Sequence, residues 1–502
     1  MKITTRQSTI RRLKADGVAV FIHEDKKSFE LEVARIRKLF GRKIDQAIQL
    51  EHFTGKENSV LSILSEHKIE APRFFLIGMG EEKKHSLEQL RRAAAAAAKH
   101  ARASKVFHLA LDFPHTPAVA NIKDHDAAQA LAEGAGLSLY KFDKYFTEKK
   151  DEDGKVREII IFDDNVTTVK SIKQGIARAR ILCEATILAR DLENAPSNEI
   201  YPETLADAAR RSAAEHGYRA QIWDKKRIEQ TGFGGLIAVN AGSQRPPRFI
   251  ILEHNAPGKD LDTIVLVGKG VTFDTGGISI KPSQNMSEMK MDMSGAAAVI
   301  GTLEAAARLS LPVHLVGLIP ATENMPSGYA TNPGDIIKHY GGKTSEVDNT
   351  DAEGRLILAD ALAYASKYKP AAVIDLATLT GACVVALGNH ATGMMGNDEQ
   401  VMAQLKAAGE TTYERVWQLP LFEEYEKQIK SDVADVKNVG GRWAGAITAG
   451  LFLKKFIGPY KWVHLDIAGT AILEEDLPYT PKGGSGVGVR LLIEFLRQWK
   501  KV

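Results

Sequence analysis

Apolar residues in this chain follow two alternating rhythms. Short, nearly continuous apolar runs recur at Val18–Ile22, Phe74–Gly78, Val106–Leu111, Glu158–Phe162, Ala220–Trp223, Phe249–Glu253, Thr263–Val267, Pro312–Ile319, Ala372–Ala377 and Trp462–Ile467. Runs of this kind, bounded by glycine and polar residues, read as buried strands. Between them, apolar residues return at three- and four-residue spacing, the helical period. This predicts helices containing Ala93–Ala98, near Asp126–Gly134, over Pro202–Gly217, and over 295–309, 355–367 and 444–457. A longer helical stretch, with Ile172, Ile176, Ala179, Leu182 and Ile187 on its pattern, covers 166–190 and is broken by Asn194-Ala195-Pro196-Ser197-Asn198. The charged stretch Glu148–Lys155 reads as a loop or hairpin tip. Strand alternating with helix predicts an α/β fold. Two domains are expected: a small α/β domain over 1–165 and, after the connecting helix 166–190, a larger C-terminal domain over 191–502. The second would carry a mostly parallel sheet sandwiched by helices, with ligands gathered at the carboxyl ends of its strands.

Composition narrows the function classes. The 66 basic and 63 acidic residues nearly balance, so no whole-chain field favours nucleic acid or membrane. The basic group Arg11, Arg12, Lys14, Arg35, Arg37, Lys38, Arg42 and Lys43 reads as a solvated face, with a DNA-binding accessory role as the alternative. Two cysteines, Cys183 and Cys383, cannot make a disulfide framework. The N-terminus lacks the apolar core of a signal peptide, and no stretch approaches the roughly 20 apolar residues that span a bilayer. The chain therefore reads as cytoplasmic.

Candidate chemistry concentrates in two blocks. Asn349-Thr350-Asp351-Ala352-Glu353-Gly354-Arg355-Leu356 places two acids two residues apart; in an extended segment both would face one spot. Upstream, Val267-Gly268-Lys269-Gly270 leads to Asp274 on a glycine-rich turn, then Lys281, then Asp292 where a helix begins. Asp274, Asp292, Asp351 and Glu353 suit divalent cations. Crowded together, they would repel one another unless cations were present. Rival motifs fail on reading. Gly78-Met79-Gly80 has Lys83 at the third glycine position of a dinucleotide fingerprint, and Gly341-Gly342-Lys343-Thr344 has Ile337 where a phosphate loop begins. Ser485 lies among glycines that read as a helix entry or a tight turn, not a nucleophile elbow. His314 and His464 fall in apolar runs and read as satisfied core histidines.

The two blocks resemble the leucyl aminopeptidase (cytosol aminopeptidase) family. Its Asn-Thr-Asp-Ala-Glu-Gly-Arg-Leu signature stands at Asn349–Leu356, and its Val-Gly-Lys-Gly-x-x-Phe-Asp-x-Gly-Gly stands at Val267–Gly277. The resemblance runs from about Ala189 onward; the N-terminal third matches in layout. It implies a metal-dependent aminopeptidase with two divalent ions per subunit, Mn2+ or Zn2+. Lys269, Asp274, Asp292 and Glu353 would hold one ion. Asp274, Asp351, Glu353 and a backbone carbonyl would hold the other. Lys269 would have to ligate as a neutral amine, its pKa lowered by the cations and burial. Lys281 and Arg355 would be catalytic, with bicarbonate at Arg355. Met289, Asn349, Thr378, Leu379 and Gly381 would touch the peptide substrate, and Asp466–Ala471 would wall the side-chain pocket. A homohexamer is implied as well. From the residues alone, a two-metal phosphoesterase is the alternative.

Overall fold

In the computed structural model, which describes residues 1–115, 122–148, 155–258 and 260–501, the two rhythms become two helix-covered sheets. The chain divides into two compact units: Met1–Glu184 with Glu475–Pro481, and Ala185–Glu474 with Lys482–Val502. The boundary falls inside one helix, Val166–Asn194.

The first unit holds β1 (Lys2–Gln7), β2 (Gly17–Ile22), β3 (Val60–Leu64), β4 (Arg73–Gly78), β5 (His108–Asp112) and β6 (Glu158–Asp163), ordered β1-β6-β5-β2-β4-β3. All pairings are parallel except β3 on β4. Every residue of β2 is buried. Its side chains alternate between two cores, Ala19 and Phe21 on one face, Val18, Val20 and Ile22 on the other. The first face is covered by the alanine-rich helix Leu87–Ala103 and by Asp124–Ser138, the second by Lys26–Phe40 and Lys43–Leu50. Strands β1 and β3 are absent from the sequence reading. β1 is mostly polar (Lys2-Ile3-Thr4-Thr5-Arg6-Gln7), and its place is set by pairing with β6 at the sheet edge and by Ile3, its one apolar residue, packing against the core. Of the loop expected at Glu148–Lys155, residues 149–154 lie outside the described residues.

In the second unit a nine-stranded sheet forms among the described residues. It contains β7 (Arg219–Trp223), β8 (Arg248–His254), β9 (Thr263–Gly268), β10 (Gly270–Asp274) and β11 (His314–Asn324). A small separate sheet joins β12 (Ile336–Lys338), β13 (Thr344–Glu346) and, later in the chain, β17. The large sheet continues with β14 (Ala372–Ala377), β15 (Thr392–Gly396) and β16 (Val416–Gln418); β17 is Val436–Lys437 and β18, again in the large sheet, is Lys461–Asp466. The large sheet runs β16-β15-β18-β14-β9-β11-β8-β7, with β10 also on β11. Its centre, β18-β14-β9-β11, is parallel, and β8, β7 and the β15/β18 pair are antiparallel. β9 and β10 lie in succession along the long, fully buried β11, with Lys269 at the break between them.

The glycine-rich stretch at 483–488 does lead into a helix, Val489–Arg497. The end of the long helix holds it: Glu193 Oε2 accepts from Gly486 N at 2.9 Å, and Arg190 Nε donates to Gly484 O at 2.9 Å. Glu193 is fully buried. Burial pushes its carboxyl up to about 8, against the pull of the Gly486 N–H and Arg190 and with some help from Glu414.

Candidate metal centre

The site gathers at the carboxyl ends of the central strands. Lys269 follows β9, Asp274 ends β10, Thr378 follows β14 and Asp466 ends β18. Asp274 therefore closes a strand paired to β11 rather than sitting on a turn past a strand end, as the glycines around it suggest. Asp292 comes from the short connection between the 3-10 turn Met286–Met291, which includes Met289, and the helix Ser294–Arg308. Asp351 and Glu353 are not carried on an extended segment. They converge through a turn, Ala352 N donating to Asn349 O at 3.2 Å, and Glu353 already has helical dihedrals before the helix Gly354–Ala365.

Carboxylate oxygens of Asp274, Asp351 and Glu353 lie within 4.8 Å of one another. The ammonium of Lys269 meets Asp292 Oδ1 at 2.8 Å, Glu353 Oε1 at 2.9 Å and the Thr378 carbonyl at 2.8 Å. Lys281 Nζ meets Asp274 Oδ2 at 2.8 Å and also Asp351. The second oxygen of Asp292 is buried without a hydrogen-bond partner among the described residues. Gly354 has to be glycine for steric reasons, since a Cβ there would lie 2.6 Å from Lys269 Cε.

The charges are poorly balanced. Burial and Glu353 push Asp274 up to about 6, burial pushes Asp292 well above the carboxylate range, and burial raises Asp351 too. Glu353 is lowered, its burial outweighed by Lys269 and Lys281. Burial works against the charge on Lys269, but Asp292, Glu353 and Asp274 together hold its proton more firmly than usual. Among these carboxylates alone Lys269 is thus a cation; the lowered pKa expected from the sequence would require divalent charge beside it. The oxygen-rich donors, the unpartnered Asp292 oxygen and the raised carboxyls together fit a site for hard divalent cations.

Arg355, in the first turn of the helix behind Glu353, is buried, which pulls it down to about 10 against Glu353 and Asp466. Its Nη1 donates to Asn438 O at 2.7 Å, while its buried Nε has no hydrogen-bond partner among the described residues. The Asn349 amide faces inward to build the turn, accepting from Asp351 N at 2.8 Å. Gly381 opens the helix Gly381–Leu387, with open space where a side chain would stand.

Four residues support the site, and two of them, Asn324 and Asn438, escape a reading for chemistry. Asn324 Nδ2 donates to Asp274 Oδ1 at 2.8 Å and to Thr350 O at 3.1 Å. Thr378 Oγ1 donates to Asp292 Oδ1 at 2.7 Å. Asp466, expected as pocket wall, accepts from Leu379 N at 3.2 Å and Thr380 Oγ1 at 2.6 Å, shaping the loop beside Lys269. Asn438 holds the turn that carries Asp351 and Glu353. Asn324 and Asn438 belong to no chemical motif; a buried amide is the only signal they leave.

Another constellation imitates a hydrolase triad. His339 Nε2 lies 2.7 Å from Ser345 Oγ, and its Nδ1 lies 3.3 Å from Asp360 Oδ1. All three are buried, and Asp360 also accepts from Leu236 N and Tyr340 N at 2.9 Å each. Such a sealed group pins strands and helix ends and cannot meet substrate. His314 is satisfied by Thr263 Oγ1 at 2.9 Å and Glu253 Oε1 at 2.8 Å. His464 pairs through Nδ1 with Asp375 at 2.5 Å, while its buried Nε2 has no hydrogen-bond partner.

Sequence profiles described as "Cytosol aminopeptidase family, catalytic domain" and "Cytosol aminopeptidase family, N-terminal domain" match residues 187–493 and 18–149. A probable cytosol aminopeptidase of Geotalea uraniireducens (strain Rf4) is 46% identical over 466 residues, 92% of each chain. Among solved structures, a variant of tomato leucine aminopeptidase superposes with a TM-score of 0.88 at 31% identity, covering 99% of this chain and 97% of its own. The bottromycin maturation enzyme BotP in complex with Mn gives 0.84 at 34% identity, covering 96% and 99%.

Proposed function

Because the chain belongs to the cytosol aminopeptidase family, and is thus an aminopeptidase of the hydrolase class, we propose that it releases N-terminal amino acids, leucine and other mostly apolar residues, from peptides with two divalent cations, Mn2+ or Zn2+, at this site. The observation that carries this reading is the convergence of Asp274, Asp351 and Glu353 oxygens beside Lys269, Asp292 and Lys281. Lys269, Asp274, Asp292, Asp351 and Glu353 would hold the ions. Divalent cations there would supply Lewis acidity, lowering the pKa of a water and polarising the scissile carbonyl.

The chain's own residues account for the rest. Burial opposes the charge on Lys281, but Asp274 and Glu353 keep it protonated. Its partly exposed ammonium is thus a fixed positive charge for a developing oxyanion. Arg355 orients an anion such as bicarbonate through its unpartnered Nε, giving the attacking water's proton an acceptor. Thr378, Leu379, Gly381 and Met289 border the substrate, and Asn349 contributes through the turn it builds. The described residues contain no helix long and apolar enough to cross a membrane. We place the protein in the cytoplasm as a homohexamer, a reading that rests on its family resemblance.

The test is hydrolysis of an aminoacyl anilide panel before and after chelation, with Mn2+ or Zn2+ restored. Turnover should vanish with chelator and return with metal, highest for leucine. Metal-restored cleavage of a phosphate ester without anilide cleavage would favour the phosphoesterase alternative and overturn the proposal.

A further inference from the structure

We propose that Asn438 is a positioning residue that fixes the metal-bearing turn and the Arg355 guanidinium in one frame. Asn438 follows β17, which pairs in parallel with β13, and its own N–H donates to Glu346 O at 2.9 Å. Its side chain is fully buried. The amide oxygen accepts from Asp348 N at 2.8 Å and Asn349 N at 3.2 Å. The amide nitrogen donates to Asn349 O at 2.7 Å and, more weakly, to Ala352 O at 3.4 Å. Its backbone carbonyl accepts from Arg355 Nη1 at 2.7 Å.

One residue thus serves the backbone on both sides of Asp351 and the side chain that follows Glu353. After Val347, which still bonds to the backbone of Gly334 and Asp335, the segment leading to the helix Gly354–Ala365 lies in no strand among the described residues, and Asn438 takes the place of a strand partner. An amide suits this place because it offers two N–H donors and two acceptor lone pairs on a short stem. Aspartate has nearly the same shape but no donor. It would set a carboxylate against the carbonyls of Asn349 and Ala352, each losing the N–H that Asn438 supplies. Outer supports of this kind fix ligand orientation, and losing them costs about 10–100-fold in metal affinity or activity.

The inference rests on the proposed metal-dependent reading, and its test separates the two. Full-length wild type, Asn438→Asp and Asn438→Ala are stripped with chelator and titrated with Mn2+. Bound Mn2+, the Mn2+-dependent rise in melting temperature, and kcat and KM on leucyl anilide are measured. Asn397→Asp is the control. That side chain also bridges backbone, donating to Tyr460 O at 3.1 Å and accepting from Trp462 N at 2.7 Å, but away from the site.

Both Asn438 variants should need about 10–100-fold more Mn2+ for half-saturation. At saturating Mn2+ their kcat should remain depressed at least about tenfold with little change in KM, because Arg355 is misaligned in the transition state. Asn397→Asp should keep wild-type Mn2+ demand and kcat. Wild-type Mn2+ demand and kcat in either folded Asn438 variant overturns the proposal. So does loss of folded protein in both, which would make Asn438 a scaffold residue only. If wild type binds Mn2+ without cleaving the anilide, the functional reading fails, while the Mn2+ titrations still judge Asn438.

Discussion

Replacing Glu193 by glutamine should make the protein more stable at high pH and leave it nearly unchanged at low pH. The Glu193 carboxyl stands at about 8 in the fold, against an ordinary 4.5. Between those values the folded chain keeps a proton that the unfolded chain has released. Stability contributed by this group is therefore fully present below about pH 4.5 and is lost as pH rises toward 8. The slope is at most about 1.4 kcal/mol per pH unit, and the whole loss is about 5 kcal/mol as an upper figure. Glutamine keeps an oxygen for the Gly486 N–H and never ionises. Urea unfolding followed by tryptophan fluorescence at intervals from pH 5 to 9 measures the difference between the two proteins, and groups common to both cancel. The glutamine variant's advantage should grow by several kcal/mol across that range. A difference that stays flat with pH would refute the reasoning, because it would mean that Glu193 does not change its proton occupancy on unfolding.

Three further outcomes follow from the site and surface. Lys281→Ala should keep both metals and lose about 10²–10³ in kcat, the scale for removing one oxyanion donor; near-full turnover with metal bound would remove Lys281 from the chemistry. Glu353→Ala should lose metal and activity together, read by metal analysis of purified protein, whereas activity lost with metal retained would contradict its place as a ligand. Gly354→Ala puts a methyl 2.6 Å from Lys269 Cε, whose ammonium is pinned by three partners. It should raise the Mn2+ requirement by about 10–100-fold and lower the melting temperature of the metal-free protein, because Lys269 must give up part of its buried pairing to make room.

The central strands and the site acids were legible because each carries its own signal. β9 and β14 are continuous apolar runs, which only a sheet covered on both faces can accommodate. Asp351 and Glu353 stand in a dense, polar, glycine-bearing block, although the way they converge was not legible. Spacing alone cannot tell an extended pair from a turn followed by a helix, and the Asx-type bond from Asn349 decided it. β10 was hidden for a related reason: its glycines and polar residues look like a loop, and its strand state depends on pairing with β11, about 50 residues later in sequence. β1 is similarly invisible, with Ile3 its only apolar residue. Asn438 and Asn324 leave no pattern at all, because their importance lies in backbone groups brought near by the rest of the fold.

The strand order also imposes a timetable on synthesis. β18, made late, inserts between β14 and β15, and its last residue, Asp466, shapes the loop beside Lys269. A growing chain that has already displayed every acid of the site still has a gap in its sheet at that point. The nascent protein can therefore hold its carboxylates without a finished frame around them. Closing that gap brings together segments about 90 residues apart, Ala372 pairing with Lys461, and the entropy of closing so long a loop makes this a slow, non-local step of folding.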